Sequence, residues 1–225
     1  AAFVEVRDEG RQAKIQQRAT LPTLAQADLP RSAEAAVQAH YRHVVLQGRW
    51  LGQHTVYLDN RQMNARPGFF VVTPLLLADG TAVAVQRGWL GRDFMARTHL
   101  APVATPDGMV QVIGRLAPPP SKLFQLGGAD SGLIRQNLDL DVWALEIHQP
   151  LRPWSVQQSE EGTVPVASAG SVPADGLLRQ WPAPAVDVGK HHGYAFQWFG
   201  LCALIAGLAV WFLWLRPRLS TRQAS

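Results

Sequence analysis

Phe69-Phe70-Val71-Val72-Thr73-Pro74-Leu75-Leu76-Leu77, Ala78-Asp79-Gly80 and Thr81-Ala82-Val83-Ala84-Val85-Gln86 follow one another in the middle of the chain. Two apolar runs parted by an Asp-Gly turn read as a β-hairpin. The first run is apolar on both faces, which suits a strand buried on both sides. Period-two segments rich in β-branched and aromatic residues lie on either side: Tyr41 to Gln47 and His54 to Asp59 upstream, Met109 to Leu116 and Leu151 to Gln157 downstream. Pro118-Pro119-Pro120 closes the third of these. Asp139 can cap a short helix whose Leu140, Trp143, Ala144 and Ile147 recur at spacings of three and four, and the Ala-rich stretch Ser32 to Ala39 adds a turn or two. Short strands at regular spacing, with no βαβ repeat, predict a mainly β domain whose antiparallel sheet closes as a barrel or sandwich, with one or two short helices.

The C-terminal end follows different rules. Tyr194 to Leu215 has no charged residue in 22 positions, long enough at about 1.5 Å per residue to cross a bilayer as a helix. Tyr194, Phe196 and Trp198 at one end and Trp211, Phe212 and Trp214 at the other suit the headgroup region. Arg216, Arg218 and Arg222 follow the span, so the positive-inside rule predicts a cytoplasmic C-terminus and a main domain on the outer, periplasmic side of a bacterial inner membrane. Such a domain needs an export signal, and a first transmembrane helix is expected ahead of residue 1. Gly200, Ala203 and Gly207 form a strip against which another helix can pack. The single cysteine, Cys202, lies within the span, so no disulfide is expected.

The expected organisation is a polar, partly helical segment over 1–40, a β domain over 41–158, a Pro/Gly/Ala-rich arm over 159–190, a transmembrane helix over 191–215 and a basic tail over 216–225. The formal charge of +4 falls to +1 without the three tail arginines, with 18 basic residues against 17 acidic, which argues against a nucleic-acid partner. No Gly-x-Ser-x-Gly, His-Glu-x-x-His or phosphate loop is present, and the histidines before residue 190 lack metal-ligand spacing. Nothing in the sequence argues for an enzyme. A periplasmic hydrolase would need a nucleophile and base pair that the motifs do not offer.

Asp59-Asn60-Arg61-Gln62-Met63-Asn64-Ala65-Arg66-Pro67-Gly68-Phe69, followed by Val72-Thr73-Pro74-Leu75, Asp79-Gly80 and Arg87-Gly88-Trp89, resembles the signature of the surfeit locus protein 1 family (Shy in yeast). His191-x-x-Tyr194-Ala195-x-Gln197-Trp198-Phe199 is similar to the family's closing motif. The likeness covers about residues 41 to 205. It departs at Gln86, where the family commonly has Asn, and at Gly189-Lys190, where it commonly has two asparagines; the Trp-Gln near the end of its first membrane helix has no match here. The resemblance implies an outer-face domain held between two membrane helices that assists assembly of haem–copper cytochrome oxidase and, in bacteria, binds haem a. Oxidase subunit 1, haem a synthase and the lipid bilayer are the partners it implies. The rival reading is a cofactor-free scaffold that holds a nascent oxidase subunit.

Five residues are candidates for the site. Arg61 and Arg87 sit in strands that are otherwise apolar, where a guanidinium needs a partner. Either each pairs structurally with a nearby carboxylate such as Asp59 or Asp79, or it faces a haem propionate in a charge-assisted, bidentate contact. Gly68, Gly80 and Gly88 suit turns or close strand contacts, and Trp89 reads as core. If the membrane helix extends back one turn, His191, Tyr194, Ala195 and Trp198 share one face, while His192 turns away. From the residues alone, His191 could simply be an interfacial imidazole solvated at a helix start. The resemblance implies instead that His191 is an axial ligand of haem iron, with Tyr194 and Trp198 beside it.

Overall fold

The computed structural model describes residues 17–92, 100, 103–123, 131–165, 175–181, 201 and 204–205; for 160–165 only the backbone is considered. The chain divides into two units, one of residues 11–182 and the other of 1–10 with 183–225.

Among the described residues seven strands form one sheet. They are β1 (His43–Trp50), β2 (Val56–Met63), β3 (Arg66–Leu77), β4 (Ala82–Gly91), β5 (Met109–Ala117), β6 (Ile134–Arg135) and β7 (Leu151–Pro165). Among the described residues two helices pack against β7, α1 (Ala33–Ala39) and α2 (Leu140–Glu146). The order is β1-β5-β7-β4-β3-β2-β6, and β1 also pairs with β3 through Gly48↔Leu77, Arg49↔Leu76 and Trp50↔Leu75. That last pairing closes β1, β3, β4, β7 and β5 into a ring, with β2 and β6 continuing outward from β3. The barrel expected from the strand pattern is therefore present. The expectation of a purely antiparallel sheet is corrected, because β4 pairs with β7, and β2 with β6, in parallel. The long excursion from β5 through β6 and α2 supplies the crossover that parallel neighbours require, which a run-by-run strand reading does not reveal.

The decisive hairpin forms as its residues dictate. Asp79 Oδ1 accepts from the Thr81 amide at 3.0 Å and from the Thr81 hydroxyl at 2.7 Å, and Gly80 takes φ +79°. A second hairpin, not foreseen, joins β2 to β3 across Asn64-Ala65, both at positive φ (51° and 59°), the type I′ pattern without its usual glycine. Both expected helices are present with their caps: Ser32 Oγ accepts from the Ala35 amide, and Asp139 Oδ1 from those of Asp141 and Val142.

Strand alternation sorts the apolar side chains. Val44, Leu46, Leu75, Leu77, Val83, Val85, Val110, Val112, Leu116, Trp154 and Val156 fill the main core, over which α1 lays Ala36 and Ala39. On the opposite face of β3 and β4, Val72 and Ala84 pack with Leu138, Leu140, Trp143 and Ile147 of the α2 region. A third cluster, Tyr57, Phe69, Val71 and Leu177, continues the main core's face of β3 toward its other end. Each fully buried side chain of this size contributes on the order of 1.5–3 kcal/mol.

The expected arm over 159–190 begins as strand, since β7 runs on to Pro165 and pairs with β5 at Gln111↔Val164 and Val110↔Pro165. Of the expected transmembrane stretch only Leu201, Leu204 and Ile205 are described, each helical and exposed. No helix among the described residues is long and apolar enough to cross a membrane. The span over 191–215 otherwise lies outside the described residues.

Candidate functional site

Both candidate arginines owe their positions to β-bulges. In β2 the pairing steps from Leu58↔Phe70 to Arg61↔Gly68, so Asp59-Asn60 carries one residue more than β3 opposite it. Asn60 takes φ +57° with its amide donating to Asp59 Oδ1. In β4 the step is from Val72↔Gln86 to Val71↔Gly88, which leaves Arg87 itself as the extra residue. A bulge re-aims one side chain without breaking the sheet, and here each turns an arginine inward.

Arg61 is 5% exposed. It donates to Ser121 Oγ at 3.2 Å and to the carbonyls of Ser121 at 2.8 Å and Gln136 at 2.9 Å, with its guanidinium carbon 6.0 Å from the Phe70 ring centre. Arg87 is 1% exposed and donates to Thr105 Oγ1 at 2.7 Å and the Ala104 carbonyl at 2.6 Å. It also lies 4.9 Å from the Trp50 ring centre and 3.7 Å from Asp175 Oδ2. Burial pulls the Arg87 pKa down to about 10, against an opposing pull from Asp175, so it stays charged at neutral pH. Arg61 is lowered by burial, and Tyr57 is raised by burial with Arg87 acting against the rise.

The two do not converge. Arg61 pairs with Gly68 and lies over Phe70, on the face of β3 that carries Val72. Arg87 lies on the opposite face, with Trp50 and near Tyr57, whose cross-strand partner is Val71. Asp59 and Asp79, the carboxylates expected as partners, are taken by Arg92 and Arg152. Carbonyls, hydroxyls and Asp175 take their place.

Trp89 links the signature residues physically. Its indole, 3% exposed, crosses Gly68 and donates from Nε1 to the Arg61 carbonyl at 3.0 Å. A Cβ on Gly68 would stand 2.6 Å from two atoms of that ring and 2.2 Å from the Leu90 carbonyl oxygen. Beyond Gln86, where β7 leaves the β4 edge, residues 175–181 take its place. Trp89 and Leu178 exchange two backbone hydrogen bonds, at 2.7 and 2.9 Å. Arg179 Nε donates to the Arg87 carbonyl at 2.7 Å and its guanidinium pairs with Asp175. Trp181 meets Phe70 edge-on at 5.2 Å and donates to the Gln158 carbonyl at 2.7 Å. Reading by strands and motifs missed this segment, because Leu177-Leu178 between Asp175 and Arg179 is the only patterned piece of a Pro/Gly/Ala-rich stretch.

His191, Tyr194 and Trp198 lie outside the described residues. Among the described residues no group of three His, Cys, Asp or Glu side chains could hold a metal ion.

A match to the SURF1 family runs over residues 6–203 and takes in the Asp59 to Phe69 stretch, Arg87-Gly88-Trp89 and the His191 to Trp198 motif. The chain belongs to the SURF1 family. The resemblance read from those three stretches is thus borne out. This SURF1-family chain is also similar, at 37% identity over 49 residues, to a SURF1-like protein of Dictyostelium discoideum; the match covers 22% of this chain and 18% of that one. It is similar at 33% identity over 57 residues to the cytochrome oxidase assembly protein SHY1 of Saccharomyces cerevisiae, covering 25% of this chain and 15% of the relative. The chain spans less than a fifth of the length of these curated relatives.

Proposed function

We propose that this chain serves the assembly of a haem–copper cytochrome oxidase and that its C-terminal segment binds haem a through His191. The observation that carries the reading is the continuity of the family match across both the barrel and the His191 motif, beside a yeast relative named as an oxidase assembly protein. In this reading the chain resides in a bacterial inner membrane, with the barrel outside and the C-terminus cytoplasmic. Oxidase subunit 1 receives the cofactor and haem a synthase is its source. His191 would hold haem a through a neutral imidazole, and Tyr194 and Trp198, three and seven places on, would supply an aromatic flank; when bound, the haem would be the cargo delivered to the oxidase. Arg61 and Arg87 already donate to carbonyls and hydroxyls of the barrel, so in this proposal haem a is held without a propionate contact from either.

That same inward commitment favours a second reading, in which the barrel is a scaffold that holds an oxidase subunit by protein contacts alone. Deleting the gene separates oxidase assembly from unrelated roles. Membranes of the deletion strain should lose most of the oxidase's haem a absorbance, and a plasmid-borne copy should restore it. Unchanged oxidase in the deletion strain would contradict both readings. A His191→Ala copy that restores fully would favour the scaffold.

A further inference from the structure

The link between α1 and β1 draws four pieces of the chain to one corner of the barrel. Arg18, in the helical turn at 17–19, donates to the Val37 carbonyl in the last turn of α1 at 3.0 Å. Arg42 donates from its guanidinium to the Pro22 carbonyl at 2.9 Å and from its amide to the Ala39 carbonyl at 3.2 Å. Tyr41, at φ +71°, donates its amide to the Leu116 carbonyl of β5 at 2.7 Å, and its ring meets that of His40 edge-on at 6.0 Å. Arg115 stands opposite His43 across β1 and β5, with Nε donating to Gln157 Oε1 at 3.2 Å. Three arginines are thus gathered with two histidines, and among the described residues none of the three has an ion pair. The one acid of α1, Glu34, lies in its first turn, at the other end of the helix. Each of these bonds uses one of the five N–H donors that a guanidinium carries. Apolar side chains flank the cations. Leu21, whose amide donates to the Arg18 carbonyl at 3.2 Å, is 43% exposed, and Val37 is 50% exposed while its helix neighbours Ala36 and Ala39 are buried in the core.

We propose that this corner docks on anionic phospholipid, with Arg18, Arg42 and Arg115 meeting the headgroup phosphates and Leu21, Val37 and the Tyr41 ring entering the layer beneath them. Charge complementarity supplies half of the argument, since unpaired arginines beside a negatively charged bilayer surface are drawn to it. The exposed aliphatics supply the other half. An acidic protein segment would satisfy the arginines and leave Leu21 and Val37 in water, whereas a lipid interface takes up cations, aliphatic side chains and tyrosine together. The proposed function needs a membrane but no particular lipid, so this inference goes beyond it, and its readout involves no haem.

The test places the full-length protein in nanodiscs of phosphatidylcholine, alone or with about 30% phosphatidylglycerol, and follows amide hydrogen exchange. Amides of residues 18–24 and 37–43 should exchange at least about threefold slower with the anionic lipid, while those of β3 and β4 keep the same rates in both. The difference should vanish in about 0.5 M NaCl, where charges are screened within a few ångströms. An Arg18→Gln, Arg42→Gln double variant should lose most of it. Equal exchange in the two lipids would overturn the proposal, as would a difference undiminished by salt or by the double variant. If polyglutamate protects the same amides in phosphatidylcholine and phosphatidylglycerol does not, the occupant is an acidic protein segment and the lipid assignment falls. Should the double variant fail to accumulate, the salt series on wild type decides between the same outcomes.

Discussion

Gly68 and Gly80 stand within one hairpin region for different reasons, and substitution separates them. Gly80 has nothing within 4 Å of where a Cβ would lie, but its φ of +79° taxes any L side chain. Gly80→Ala should therefore cost only about 1–2 kcal/mol. Gly68→Ala puts a methyl group against a carbonyl oxygen and an indole that is itself bonded to Arg61, and neither can yield. It should cost about 3 kcal/mol, at the upper end of overpacking effects. Urea unfolding followed by tryptophan fluorescence checks both; a Gly68→Ala loss below about 0.5 kcal/mol would mean the Trp89 ring does not lie where the structure has it. At this scale the sequence was legible in part. Trp89 reads as core and is core, and glycines read as close strand contacts are so at Gly68 and Gly88. The partners of Arg61 and Arg87 were not legible, because a bulge shifts the side-chain alternation and no local pattern announces which carbonyls a turned-in guanidinium will meet.

Among the elements, α2 offers the cleanest pH test. Asp139 is pulled below its ordinary value near 3.8, first by the Lys122 ammonium and then by the Val142 amide at the helix start. A carboxyl whose folded pKa is depressed contributes stability that is complete above its unfolded pKa and is lost as pH falls through the folded one. The pair with Lys122 is exposed and adds little, so the cap itself carries most of the effect. Asp139→Ala should cost about 1 kcal/mol at pH 7, with the gap to wild type narrowing below pH 4. Unfolding midpoints at pH 7 and pH 3 measure it, and an equal gap at both would contradict the capping role. The elements themselves were largely readable: the hairpin about Asp79-Gly80, the Asp139 cap and the strands at Met109 and Leu151 all appear, and the strand expected from Tyr41 begins at His43, Tyr41 itself turning at φ +71°. The β2–β3 hairpin was not, since Asn64-Ala65 lacks the glycine that marks a type I′ turn. The parallel β4–β7 pairing was hidden because adjacency across a long crossover leaves no trace in either strand.

At the scale of the whole molecule the prediction concerns the apolar stretch from Tyr194 to Leu215, which the proposed function places in a membrane. A reporter active only in the cytoplasm, fused after Ser225 of the full-length protein, should be active, because arginines such as those at 216, 218 and 222 just after an apolar span favour the cytoplasmic side. A silent fusion expressed at normal level would reverse the orientation and with it the side of the membrane on which the barrel works.

The central claim is the imidazole ligand, and one spectrum addresses it. The full-length protein, purified in detergent from cells that make haem a, should carry a Soret band that His191→Ala abolishes or shifts and His192→Ala leaves near wild type. Both changes remove the same group at neighbouring positions, so general effects on membrane insertion cancel between them. A wild-type protein without the band, or a band that survives His191→Ala unchanged, would contradict the account.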